Sequence, residues 1–150
     1  MAQGMIESGI LQGIIEEYQL KEVNPNTYSP LSLAFIGDSV FGLVVKSVVT
    51  LWANCPANEL NKKTTRYVKA VSQARIYDFL MDTQVLSEEE ANIMRRGRNA
   101  KSATTAKNAS VGDYRKATGL EALIGYLYLK GETNRLIEIM RSGMEVLDKE

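Results

Sequence analysis

Two stretches of this chain are apolar almost throughout, and each holds an isolated acid. From Leu31 to Asn54 the sequence reads LSLAFIGDSVFGLVVKSVVTLWAN, where the only charges are Asp38 and Lys46. From Ala117 to Leu129 it reads ATGLEALIGYLYL, where the only charge is Glu121. Both runs are too long for buried strands and predict core helices. The first has Ser29 to cap it and Pro30 at its first position. It ends at Asn54-Cys55-Pro56. The second belongs to a helix from about Val111 to Lys130, stopped by Gly131.

The other elements also read as helices. An N-terminal helix precedes a turn-rich break, VNPNTYSP, from Val23 to Pro30. Ala57 to Met81 has helical character, with Tyr67, Val68, Val71, Ile76, Phe79 and Leu80 as its apolar positions. Ser87-Glu-Glu-Glu90 is a capping-box pattern and opens a short helix to about Arg96. Gly97 to Ser110 has no apolar period and predicts a long exposed loop, the kind that is usually functional or disordered. Asn108 or Ser110 is a candidate cap for the helix after it. A last helix runs from Thr133 to about Leu147. The expectation is one all-α domain of 150 residues, enough chain to bury a core. Phe35, Phe41, Trp52 and Phe79 are expected to pack in it, and Tyr126 and Tyr128 to belong to a buried helix or a dimer face rather than to stack on bases.

Composition narrows the chemistry. There is no histidine and a single cysteine, Cys55. That removes histidine general bases, Ser-His-Asp triads and zinc cages of thiolate and imidazole. One cysteine forms no internal disulfide and fits a reducing cytoplasm. The N-terminus lacks the basic region of a secretory signal, and no uninterrupted apolar stretch reads as a membrane span. Any bound metal must be held mostly by oxygen, which favours Mg²⁺ or Mn²⁺.

Net charge is zero, but its distribution is uneven. Lys62 to Lys116 holds twelve basic and six acidic residues. Such a basic middle suits a polyanion, although solvated helix faces give the same statistic.

An ionised carboxylate in a core helix is costly unless a cation or strong donors compensate it. Asp38 follows Gly37, and Glu121 lies four residues before Gly125. If the two helices cross at these glycines, the two acids can share one metal ion. Alternatively, each pairs with Lys46, Arg115 or a backbone donor. Carboxylates holding a hard cation near a basic surface suit phosphodiester hydrolysis without histidine.

The motifs resemble a known family. Phe35-Ile-Gly-Asp38-Ser-Val is similar to the first signature of the ribonuclease III catalytic domain, and Glu121-Ala-Leu-Ile-Gly-Tyr-Leu-Tyr-Leu129 to its last. Arg95-Arg-Gly-Arg-Asn-Ala-Lys-Ser102 and Tyr114-Arg-Lys-Ala-Thr-Gly-Leu-Glu121 resemble the hallmarks of its Mini-III branch. The resemblance runs from about Leu31 to the C-terminus. It implies an all-α ribonuclease III helical bundle, working as a homodimer without a separate double-stranded-RNA-binding domain. It further implies Mg²⁺-dependent cleavage of double-stranded RNA, with trimming of the 23S ribosomal RNA precursor. Asp38 and Glu121 match the metal-binding acids of the family.

Two other acidic positions of full-length ribonuclease III are Ala34 and Thr118 here, substitutions that look usual for Mini-III. Gly42 also stands where many relatives have an acid. The missing acids leave a second reading, a non-catalytic RNA-binding or ribosome-assembly module of the same fold. A third, an all-α nucleotide pyrophosphohydrolase, shares the acids but leaves RRGRNAKS unexplained. For RNA contact the candidates are Lys62, Lys63, Arg66, Arg95, Arg96, Arg98, Lys101 and Lys107 on phosphates, with Asn99 and Asn108 on 2′-hydroxyls.

Overall fold

The computed structural model describes the chain over residues 2–101 and 110–150, with side chains from Gly9 onward. Lys107 and Asn108 therefore lie outside the described residues. Among the described residues seven α-helices follow in order: α1 (Ala2–Glu17, broken by a kink at Gly9), α2 (Pro30–Trp52), α3 (Ala57–Val68), α4 (Ala70–Asp82), α5 (Glu88–Asn99), α6 (Val111–Lys130) and α7 (Thr133–Asp148). A single 3-10 turn, Pro25–Thr27, precedes α2. Every regular element among the described residues is helical, so the all-α class is borne out.

Local chemistry sets the ends. Ser29 accepts from the Ser32 amide at 3.1 Å, with Pro30 opening α2. Ser110 does the same for α6 through the Asp113 amide at 3.0 Å, which identifies the cap. Gly131, at φ 79°, ends α6 by turning its amide back to the Leu127 and Tyr128 carbonyls. Only glycine takes that left-handed conformation without cost. The capping box at Ser87 is formed in both directions with Glu90.

α6 is the axis of the fold. It is buried from Ala117 to Leu127 apart from Glu121, which is half-buried. A helix apolar on all sides needs neighbours on all sides. α2, α4 and α5 surround it and α7 packs across α4 and α6. α2 buries the face carrying Leu33, Ala34, Gly37, Val40, Phe41, Val45 and Val49.

Several expectations need correction. Ala57 to Met81 is two helices, because Lys69 is extended (φ −67°, ψ 152°) and turns the chain. Side chains from α4 then satisfy carbonyls freed at the end of α3: Ser72 Oγ donates to Arg66 O at 2.6 Å, and Gln73 Nε2 to Val68 O at 2.9 Å. α5 continues to Asn99, so the exposed loop cannot begin at Gly97. That glycine is buried against α6, where a Cβ would lie 2.8 Å from the Gly119 Cα. Phe35 and Trp52 are not core residues: they are 81% and 60% exposed, Phe35 on a face of α2 that no helix covers and Trp52 at the helix's last residue, beside Tyr67 of α3. α2 has the length and hydropathy of a membrane span, with Asp38 and Lys46 interrupting its apolar run. Its apolar content serves the contact with α6 and a second, uncovered face.

Candidate active site

The decisive feature of the α2–α6 crossing is the absence of side chains at two points. A Cβ on Gly37 would stand 1.7 Å from the Glu121 carbonyl oxygen, and one on Gly125 would stand 2.0 Å from the Leu33 carbonyl oxygen. Each glycine thus receives the other helix's backbone. This close approach brings the residue after Gly37, Asp38, to the side chain of Glu121.

The two carboxyl groups interact directly. Burial pushes the Glu121 pKa up from 4.5 to about 8, and the hydrogen bond and charge of Asp38 add to the rise. A smaller opposing effect comes from the Gln73 amide, which hydrogen-bonds the carboxylate. Asp38 itself is exposed. One acid is therefore sunk in the fold and the other faces solvent, and the pair favours sharing a proton or a cation. Neither Lys46 nor Arg115 acts on Glu121.

The donor set suits a hard divalent cation. No group of three or more acidic, histidine or cysteine side chains is arranged to hold a metal ion among the described residues, so the acids of this site are two. Mg²⁺ commonly takes one or two carboxylates and completes its shell with water and substrate phosphate. Gln73, whose amide donates to the Glu121 carboxylate, is buried, and its Oε1 atom has no hydrogen-bond partner among the described residues. An orphaned acceptor at a pair of acids is what a hydrated cation would satisfy.

The neighbouring positions explain themselves in part. Ala34 is buried in the core, where an acid would lose solvent. Thr118 is buried too and donates its hydroxyl to Tyr114 O at 3.0 Å, a bond within its own helix. Gly42 has nothing within 4 Å of an added Cβ, so packing does not require glycine there.

The basic residues fall in three places. Lys62 and Lys63 are exposed on α3, with Lys62 3.5 Å from Glu59. Arg66 is engaged at the C-terminal helix: it donates to Leu147 O at 2.9 Å and lies 5.5 Å over the Tyr67 ring. That anchoring competes with RNA contact. Arg95, Arg96 and Lys101 are exposed and Arg98 is half-buried, with its Nε 3.3 Å from the side-chain oxygen of Asn99. The Gly97–Gly119 contact clamps this basic end of α5 onto α6, two residues from Glu121. Arg98, Arg95 and Lys116 all act on the hydroxyl of buried Tyr77, lowering a pKa that burial raises.

Gln73 is the site residue the sequence did not single out. Its only prior signal was a polar side chain on the inward face of a helix.

The family question is settled by comparison. A family model for the ribonuclease III domain matches residues 31–132, which include both acids. The chain belongs to the ribonuclease III family. Within it, a Mini-ribonuclease 3 from Thermoanaerobacter sp. is 50% identical over 125 residues, covering 81% of this chain and 84% of the relative. A Mini-ribonuclease 3 from Brevibacillus brevis is 45% identical over 127 residues, covering 85% and 93%. A crystal structure of a Fusobacterium nucleatum protein superposes with a TM-score of 0.71 at 32% identity, covering 79% of this chain and 93% of that one. The resemblance to the Mini-III branch is thereby borne out. As a ribonuclease III family member the chain is an endoribonuclease, of a family that acts on double-stranded RNA and is generally metal-dependent.

Proposed function

We propose that this protein is a Mg²⁺-dependent homodimeric endoribonuclease of the cytoplasm that matures the ends of the 23S ribosomal RNA precursor. The observation that carries the catalytic part is the carboxyl pair at the glycine crossing of α2 and α6. Asp38 and Glu121 would hold the ion, with Mn²⁺ as a substitute. When bound, the ion activates water for attack on phosphorus and screens the phosphate charge. Burial keeps Glu121 fixed on α6, while exposed Asp38 faces the side from which RNA arrives. Ionising both acids at neutral pH is unfavourable without a cation, so they are poised to take one up.

RNA grip falls to Lys62, Lys63, Arg95, Arg96, Arg98, Asn99 and Lys101, with Lys107 and Asn108 as further candidates. Arg66 is the weakest of the set because it already braces α7. In A-form RNA these side chains meet phosphates and 2′-hydroxyls more readily than base edges.

Dimerisation is supported by the uncovered face of α2. Leu31, Phe35 and Leu43 are exposed and fall at positions i, i+4 and i+12 of one helix face. An apolar row of that kind marks an interaction surface. We read residues 1–150 as one catalytic domain, two copies of which would cut the two strands of a duplex.

The assay is cleavage of structured precursor rRNA with Mg²⁺, with and without chelator, followed by mapping of the product ends. Chelator-sensitive cuts at the mature termini support the reading. Cuts elsewhere in the duplex retain the endonuclease and remove the rRNA assignment. Binding without cutting removes the catalytic claim.

A further inference from the structure

Gln73 lies in the first turn of α4 and is 3% exposed. Its Nε2 donates to Val68 O, at the last residue of α3, over 2.9 Å. This bond fixes the orientation of the amide, since exchanging its two ends would set oxygen against oxygen. The carbonyl end, Oε1, is thus held in the interior with no partner among the described residues. The same amide reaches the carboxyl group of Glu121. Methionine would fill a similar space with no polar atom to satisfy. A buried acceptor held in place and left unpaired is matched by a bound water, free or in the hydration shell of an ion.

We infer that Gln73 is a positioning residue of the metal site, its Oε1 being the third protein oxygen, which accepts from the water shell of the divalent ion beside Glu121. The inference rests on the reading of Asp38 and Glu121 as the metal-binding pair. It brings in α4, so that α2, α4 and α6 each contribute one oxygen-bearing side chain. Because the amide is neutral, the site keeps two negative charges against a divalent ion. The kink at Lys69 is what makes this possible: it frees Val68 O to anchor the amide.

The experiment measures Mn²⁺ binding to the RNA-free protein by electron paramagnetic resonance, beside melting temperature and cleavage against Mg²⁺ concentration. Gln73→Met is expected to weaken Mn²⁺ binding at least fivefold and to raise the half-saturating Mg²⁺ by a similar factor. KM for duplex RNA at saturating Mg²⁺ should stay within about twofold. Gln73→Glu, which restores an oxygen but loses the bond to Val68 O, should recover Mn²⁺ binding to the wild-type level or better. The inference is overturned if both variants bind Mn²⁺ as wild type and only melt lower, because the amide would then merely brace the α3–α4 corner. If Gln73→Met does not fold, Gln73→Glu decides alone: binding weaker than wild type counts against the inference, and wild-type or tighter binding supports it. Glu121→Gln separates the two layers. Normal Mn²⁺ binding by Glu121→Gln removes the pair itself, whereas its loss together with unchanged binding by Gln73→Met removes only the role of Gln73.

Discussion

Gly37 of α2 rests directly on the backbone carbonyl of Glu121 in α6, with no room for a Cβ: the added carbon would stand 1.7 Å from that oxygen. The fold's tightest helix crossing and its candidate chemistry are therefore the same place. Gly37→Ala is expected to cost more than about 3 kcal/mol, because the obstacle is backbone and cannot rotate away. Five residues on, Gly42→Ala meets nothing within 4 Å and should stabilise α2 by up to about 1 kcal/mol. Urea denaturation of the two variants checks the contrast. Equal and small effects would mean that the helices do not touch as described.

Glu121 makes stability fall with rising pH. Its folded pKa of about 8 exceeds the ordinary 4.5, so between these values the folded chain keeps a proton that the unfolded chain has released. Stability is fully favoured below about pH 4.5 and declines as pH rises towards 8. At about 1.4 kcal/mol per pH unit, the total is on the order of 5 kcal/mol. Thermal melts of the chelator-treated protein at several pH values should show this decline. Glu121→Gln should flatten it, and added Mg²⁺ should offset it at pH 8. A wild-type protein that gains stability over this range contradicts the assignment.

A buried acid, Glu90, behaves in the opposite sense. Glu90 has a lowered pKa, first because Arg135 hydrogen-bonds it, at 2.8 and 2.9 Å on its two oxygens. Its contribution is present above the ordinary carboxylate pKa and is lost as pH falls through the lowered value. Arg135 also donates to Val85 O at 2.8 Å, so it ties α7 to both α5 and the turn before it. Arg135→Met leaves Glu90 buried without its cation and is expected to cost about 3 kcal/mol. Chemical denaturation at pH 7 measures this. RNA cleavage by the folded fraction should be unchanged, since neither residue is near Asp38 in the proposed mechanism.

Phe35 is a large apolar side chain left open on α2, at 81% exposure. Placing a charge there should disrupt a self-association surface without touching the core. Phe35→Glu is expected to convert a dimer to a monomer in sedimentation equilibrium while the far-ultraviolet circular dichroism stays the same. A wild-type protein that is already monomeric at tens of micromolar would remove this interface.

Most of the helical layout was legible because the chain marks it with strong local signals. Ser29-Pro30, Ser87 with Glu90, Ser110 and Gly131 each stand at an observed helix end. What was illegible depends on partners distant in sequence. Lys69 turns the chain without proline or glycine, and only the bonds from Ser72 and Gln73 reveal why the break is stable. Gly97 looked like the start of a loop because its reason for being glycine is Gly119, on another helix. Phe35 and Trp52 looked like core because hydropathy does not say which face of a wholly apolar helix is covered. For the site, the isolation of Asp38 and Glu121 pointed to the pair. Gln73 stayed hidden, since an uncharged amide in a helix is unremarkable until its neighbours are known.

The most direct test of the central claim, that Asp38 and Glu121 act together on one divalent ion, is single-turnover cleavage of a labelled RNA duplex. Wild type, Asp38→Asn, Glu121→Gln and the double variant would be compared at saturating Mg²⁺. If the acids act as a unit, each single variant loses at least about a hundredfold and the double variant loses little more than either, while duplex binding is retained. Cleavage at the wild-type rate by either single variant would contradict the account.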